Sequence, residues 1–205
     1  MPTGFALRDA REQLFGAAER VLLRDGPGAL TSRAVTTELG VAKGVLHRHF
    51  ADFDTFLAEL VRGRIARLSR YGEGLRDRAE HGSVVGNLSV ALTETFDPVE
   101  LALVGLIISR DGLRAQLRET TPVGIPLVAE VISVLSGYLA AERKRGRIRP
   151  DADVATLAMT LVGTAHLLFA GELGALPDAS AVEEVVASII VGAEPGRPGG
   201  AWERG

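Results

Sequence analysis

From residue 84 onward, glycines, prolines and small polar residues cut the chain into the segments 84–96, 99–118, 124–145, 151–173 and 179–192. Each is longer than an ordinary strand. The interruptions, Asp97-Pro98, Thr120-Thr121-Pro122, Gly146 to Pro150 and Gly174 to Asp178, are residue types at which helices stop. No run alternates apolar and polar residues long enough to suggest a sheet. The N-terminal part reads the same way. Leu14, Phe15, Ala18, Val21 and Leu22 recur at helical spacing and form one apolar stripe over about residues 8–24, ended by Asp25-Gly26-Pro27-Gly28. The expected fold class is all-α.

The shortest helical segments are the most specific. Thr31 is a good N-cap for a helix over 32–39. Gly40 supplies the left-handed conformation in which a helix can end in a tight turn. A second short helix over about 43–49 follows at once, and a longer one starts near Asp52 with Phe53, Phe56, Leu57, Leu60 and Ile65 on one side. Two short helices joined by a glycine turn make a helix-turn-helix. Val35, Leu39, Val41 and Leu46 provide the apolar positions that hold the pair at a steep angle. The second helix then has the geometry to enter a major groove with its N-terminal side chains towards base edges, and its free backbone N–H groups suit phosphate.

Charge agrees with that location. Residues 1–50 hold seven Lys/Arg against five Asp/Glu, whereas the remaining 155 residues hold 16 against 21. The sign difference points to a polyanion at the N-terminal end. The chain has no cysteine, which excludes disulfides and thiolate metal sites and fits a reducing cytoplasm, the expected location. No secretory signal is visible at the N-terminus. The stretch Val154 to Gly171 carries no formal charge over 18 residues, the lower length limit for a membrane span. Thr156, Thr160, Thr164 and His166 interrupt it and no aromatic belt flanks it, so it reads as a buried helix at a subunit interface.

Other constellations reduce to structural readings. His47, His49, Asp52 and Asp54 look like metal ligands on paper, but residues two apart on a helix point to nearly opposite sides, so no metal site is expected. His166 lies in an apolar helix, either as a hydrogen-bonded core or interface histidine or as a ligand contact. The cluster Arg143-Lys-Arg-Gly-Arg-Ile-Arg149 suits a helix C-terminus, where cations oppose the macrodipole, more than a second nucleic-acid patch. No serine elbow, zinc helix or phosphate loop is present, and neither an enzyme nor a cofactor is expected.

The block Leu39-Gly-Val-Ala-Lys-Gly-Val-Leu-His-Arg-His-Phe50 resembles the recognition-helix signature of the tetracycline-repressor (TetR) family. The motif covers about residues 8–60, and beyond it only length and helical architecture are shared. Three positions depart from the family pattern: His47 stands where it usually has tyrosine, Phe53 where it has lysine, and Thr36 where it has a small alanine. The first two remove habitual phosphate contacts. The resemblance implies a helix-turn-helix DNA-binding head over 1–51 and a ligand-binding and dimerisation domain over 52–192; the tail over 193–205, rich in Gly and Pro, reads as disordered from its composition. It implies DNA contact at Thr31, Ser32, Arg33, Lys43, Gly44, Val45, His47 and Arg48. Lys43 and Arg48 suit guanine or phosphate, Gly44 allows close backbone approach, and Val45 suits a thymine methyl.

The resemblance also implies a homodimer on double-stranded operator DNA, its recognition helices about 34–36 Å apart. The last two helices pair with their copies through Leu157, Leu161, Ala165, Leu168, Phe169, Val182, Val185, Val186 and Ile189. A pocket for a small-molecule effector is placed, by apolar type and position, at Leu60, Phe96, Leu103, Ile107, Tyr138, His166 and Phe169. Few internal charges favour a mainly apolar effector, whose binding releases a palindromic operator. The competing reading is a helical small-molecule or lipid-binding protein without specific DNA binding.

Overall fold

The computed structural model describes residues 4–171 and 175–195. The tail assigned to 193–205 lies outside the described residues from position 196 onward. The elements are α1 (Gly4–Asp25), a short 3-10 turn (Pro27–Ala29), α2 (Ser32–Glu38), α3 (Gly44–His49), α4 (Phe53–Asp77), α5 (Val84–Thr95), α6 (Pro98–Ser109), α7 (Asp111–Leu117), α8 (Val128–Lys144), α9 (Val154–Phe169) and α10 (Ala179–Ile190). Among the described residues there is no strand, and the fold is all-α.

The chain divides into two compact units. The first takes residues up to Ser69 together with Thr95–Glu130. Its core forms where the α1 stripe, Leu14, Ala18, Val21 and Leu22, is buried with Val35, Leu46, Phe56, Leu57, Leu103 and Ile107. Helix α1 packs against α2 and α6. One cation enters this core. Arg64 of α4 is buried and pairs with Glu19 of α1 at 2.7 Å, Glu100 of α6 at 2.9 Å and Asp97 at 3.3 Å. Asp97 also caps α6, accepting from Val99 N at 2.7 Å and Glu100 N at 2.9 Å. Three carboxylates thus face one guanidinium, and burial together with the Asp97 carboxyl pushes the Glu100 carboxyl up to about 7.

The second unit comprises Arg70–Glu94 and the chain from Val131. Gly72 meets α8 closely: a Cβ there would lie 2.7 Å from Val134 Cγ2. Tyr138 and Glu142 are fully buried polar residues. The Tyr138 hydroxyl accepts from Asn87 Nδ2 at 2.9 Å, and Glu142 takes a two-pronged bond from Arg147 at 2.8 and 2.5 Å. Fork-to-fork pairing of this kind is what makes a buried carboxylate tolerable. Within the 143–149 cluster, Arg143 donates to Ala152 O at 2.9 Å, Arg145 pairs with Glu80 at 2.6 Å and Arg149 with Asp151 at 3.2 Å.

Two segments differ from the sequence expectation. The segment 99–118 is two helices, because Arg110 is extended (φ −125°, ψ 99°) and turns its side chain to Asp54. The segment 124–145 becomes helical only at Val128. Pro126 disfavours helix at Ile125, and Leu127 takes φ 69°. No helix among the described residues is long and apolar enough to cross a membrane. No group of three or more His, Cys, Asp or Glu among them could hold a metal ion.

Candidate nucleic-acid interface

The turn between α2 and α3 is built by local chemistry. Thr31 is extended and its Oγ1 accepts from Ala34 N at 3.1 Å, capping α2. At the far end Gly40 adopts φ 72°. Its N–H donates to Thr37 O at 3.0 Å, and Val41 N donates to Thr36 O at 2.9 Å. This pair of bonds is the Schellman arrangement, and it satisfies carbonyls that the helix end would leave open. Thr36, the departure in α2, is buried, and its hydroxyl donates to Ser32 O at 3.0 Å and Arg33 O at 3.2 Å. The extra polar atom is therefore absorbed by the helix itself.

Helix α3 then sorts its side chains. Leu46 and Phe50 are buried, Val45 and His49 half-buried, and Lys43, Gly44, His47 and Arg48 exposed. Thr31 and Arg33 are exposed, while Ser32 is half-buried with its Oγ lacking a hydrogen-bond partner. The cations around this surface divide into two groups. On α1, Arg11 pairs with Glu59, Arg20 with Glu38 at 2.8 Å, and Arg24 with Glu38 at 2.8 Å and Asp25 at 2.9 Å. Bonds from Arg20 and Arg24 hold the Glu38 carboxyl below its usual range. On α2 and α3, no carboxylate pairs with Arg33, Lys43 or Arg48 among the described residues. The positive charge available to a polyanion is thus concentrated where the short helices are exposed.

The far end of α3 is held by residues that the sequence pattern did not single out. Arg11 donates to His49 O at 3.1 Å and lies 4.3 Å from the Phe50 ring centre. Phe50 meets Phe56 edge-on at 4.9 Å, Phe15 lies against both at 5.6 and 5.3 Å, and Phe53 stacks on Phe56 at 5.6 Å. Arg110 covers Phe53 at 5.2 Å and pairs with Asp54. Four phenylalanines within residues 15–56 were the available signal for the cluster. Nothing local marks Arg110, which acts from far along the chain.

Residues 14–60 match the family model described as bacterial regulatory proteins, tetR family. The chain carries a TetR-family DNA-binding domain. No curated protein matches the chain. Solved structures similar to the chain include a TetR-family transcriptional regulator from Agrobacterium tumefaciens, 12% identical, covering 92% of this chain and 100% of that one with a TM-score of 0.69. A TetR-family member from Streptomyces coelicolor A3 is 24% identical, covering 88% and 98% at a TM-score of 0.60. The transcriptional regulator FadR from Bacillus subtilis, in complex with stearoyl-CoA, is 16% identical, covering 89% and 99% at 0.65.

Beyond the TetR-family domain, the pocket candidates fall in both units. Leu60, Phe96, Leu103 and Ile107 are buried in the first. In the second, Tyr138 is buried with its hydroxyl in the Asn87–Glu142 network, and His166 and Phe169 are half-buried. Helices α9 and α10 pack on each other. Leu161, Ala165, Val182 and Val186 are buried within the unit, while Leu157, Leu168, Phe169, Val185 and Ile189 are half-buried and Met159 and Leu167 are exposed.

Proposed function

We propose that this protein is a ligand-responsive transcriptional repressor that binds a palindromic operator as a homodimer and leaves it when a small, mainly apolar molecule binds. The observation that carries this reading is the split among the N-terminal cations: Arg11, Arg20 and Arg24 of α1 are neutralised by carboxylates, whereas among the described residues no carboxylate pairs with Arg33, Lys43 or Arg48. Cations on a short exposed helix after a sharp turn suit phosphates and guanine edges.

In this reading the head is 1–51 and the effector-binding and dimerisation part 52–192. Thr31, Ser32, Arg33, Lys43, Gly44, Val45, His47 and Arg48 meet the duplex. The partly exposed apolar residues of α9 and α10 meet their copies. The buried apolar residues Leu60, Phe96, Leu103 and Ile107 of the first unit, and the stearoyl-CoA held by the FadR neighbour, support an effector with a large apolar part.

The test is a mobility-shift titration on DNA selected by the protein from a randomised duplex library. Lys43→Ala and Arg48→Ala should each weaken binding about tenfold, since a lost base or phosphate contact is worth roughly 1–3 kcal/mol, and both variants should remain dimeric. Wild-type affinity in both would refute the assignment. Affinity that does not fall with added salt would point instead to a helical carrier of small molecules, because counterion release requires that slope.

A further inference from the structure

We propose that Arg110, on the break between α6 and α7, is a positioning residue for DNA binding, clamping the first turn of α4 and through it the end of α3. The inference rests on the regulator reading and adds to it a residue outside the helix-turn-helix.

Four features of the first unit meet at this point. Arg110 leaves the helical conformation, with φ −125° and ψ 99°, and caps α7 without a side-chain bond to that helix. Its guanidinium goes instead to Asp54, in the first turn of α4. The same guanidinium covers the Phe53 ring at 5.2 Å, where charge and ring quadrupole attract. Finally, Gly112 leaves no space for a side chain, since a Cβ there would collide with the Asp54 carboxylate. The start of α7 is therefore pressed against the start of α4. Further along, Arg62 of α4 donates to Gln116 O at 3.1 Å.

From Phe53 the contact runs without a gap to the recognition helix. Phe53 stacks on Phe56, Phe56 meets Phe50 at 4.9 Å, and Phe50 is the residue that ends α3. Arg11 closes the row from the other side, over Phe50 and on the His49 carbonyl. The row of rings is held between two guanidinium groups, each paired with an α4 carboxylate, Asp54 or Glu59. Arg110 does not need to touch DNA to matter. It fixes the direction in which α4 leaves α3, and hence the tilt at which Lys43 to Arg48 are presented.

The experiment measures binding by the full-length chain to a duplex it selects from a randomised library, by fluorescence anisotropy at several salt concentrations. Wild type, Arg48→Ala, Arg110→Ala and Arg110→Lys are compared, with dimerisation and thermal unfolding as controls. Arg110→Ala should lower affinity about two- to thirtyfold, the range for residues that act through packing, with the salt slope unchanged. Arg48→Ala should lower both affinity and slope, the slope by about one. Arg110→Lys, which keeps the pairing with Asp54 but loses the flat stack, should fall between wild type and Arg110→Ala. If Arg110→Ala does not fold, Arg110→Gln, which preserves most of the side chain, carries the same comparison. Affinity within twofold of wild type would overturn the proposal, and so would a slope lowered as in Arg48→Ala, which would make Arg110 a phosphate contact. A wild-type chain that selects no duplex would overturn both this inference and the regulator reading.

Discussion

Arg64 and Glu100 show how one buried cation can organise its surroundings. Three carboxylates surround a single guanidinium, so full ionisation would leave net negative charge in a buried place. Raising the Glu100 carboxyl to about 7 relieves it. Its ordinary value is 4.5, so between these limits the folded chain holds a proton that the unfolded chain releases. The contribution of Glu100 to stability is therefore full below about pH 4.5 and is lost as pH rises through about 7. The shift corresponds to roughly 3 kcal/mol. Thermal unfolding followed from pH 5 to 8 should show the midpoint falling with pH in the wild type and a flatter profile in Glu100→Gln. Identical profiles would dissociate Glu100 from the effect. The Asp97 carboxyl is held below its usual range; its contribution is present above that range and is lost only in more acidic solution, outside this window. Sequence gives no sign of the arrangement. Arg64 follows Gly63 in a charged stretch of α4, and only the distant Glu19 and Glu100 explain its burial.

At the level of elements, what could be read in advance was local. The α1 stripe, the Thr31 cap and the Gly40 turn depend on neighbours within a few residues, and all are where spacing places them. The break at Arg110 depends on Asp54 and Phe53, more than fifty positions away, so the helical pattern of 99–118 concealed it. The late start of α8 was readable from Pro126 and its effect on Ile125. Of the site, the sorting of α3 into inward Leu46 and Phe50 and outward Lys43 and Arg48 follows helical spacing, whereas the Arg11 and Arg110 supports required tertiary contacts. Gly40 offers a direct test of the turn. Its φ of 72° costs an alanine about 1 kcal/mol. Gly40→Ala should lower the unfolding free energy of the first unit by about that amount in urea titrations and weaken DNA binding. An unaltered midpoint would show that the turn relaxes at no cost.

For the whole molecule, the partly exposed apolar residues of α9 and α10 are where the proposed homodimer can be tested. Met159 and Leu167 of α9 are 57% and 50% exposed, and Leu168, Val185 and Ile189 are half-buried. Apolar side chains left exposed together can mark contact surfaces, and a pair related by a two-fold axis covers each with its copy. Val185→Asp combined with Leu168→Asp should shift the sedimenting species from twice the chain mass to the chain mass, and operator affinity should fall with it. A double variant that stays dimeric would move the interface elsewhere.

The inward position of Leu46 and Phe50 has a consequence for how such a chain can change over time. Because the core draws on those two residues and the support comes from Arg11 and the phenylalanine row, the outward positions of α3 carry little of the folding burden. On the repressor reading proposed above, substitutions at Lys43, Gly44, His47 and Arg48 would alter which bases are preferred while the scaffold stays intact. On that reading, new operators come within reach by single steps, each passing through a folded protein.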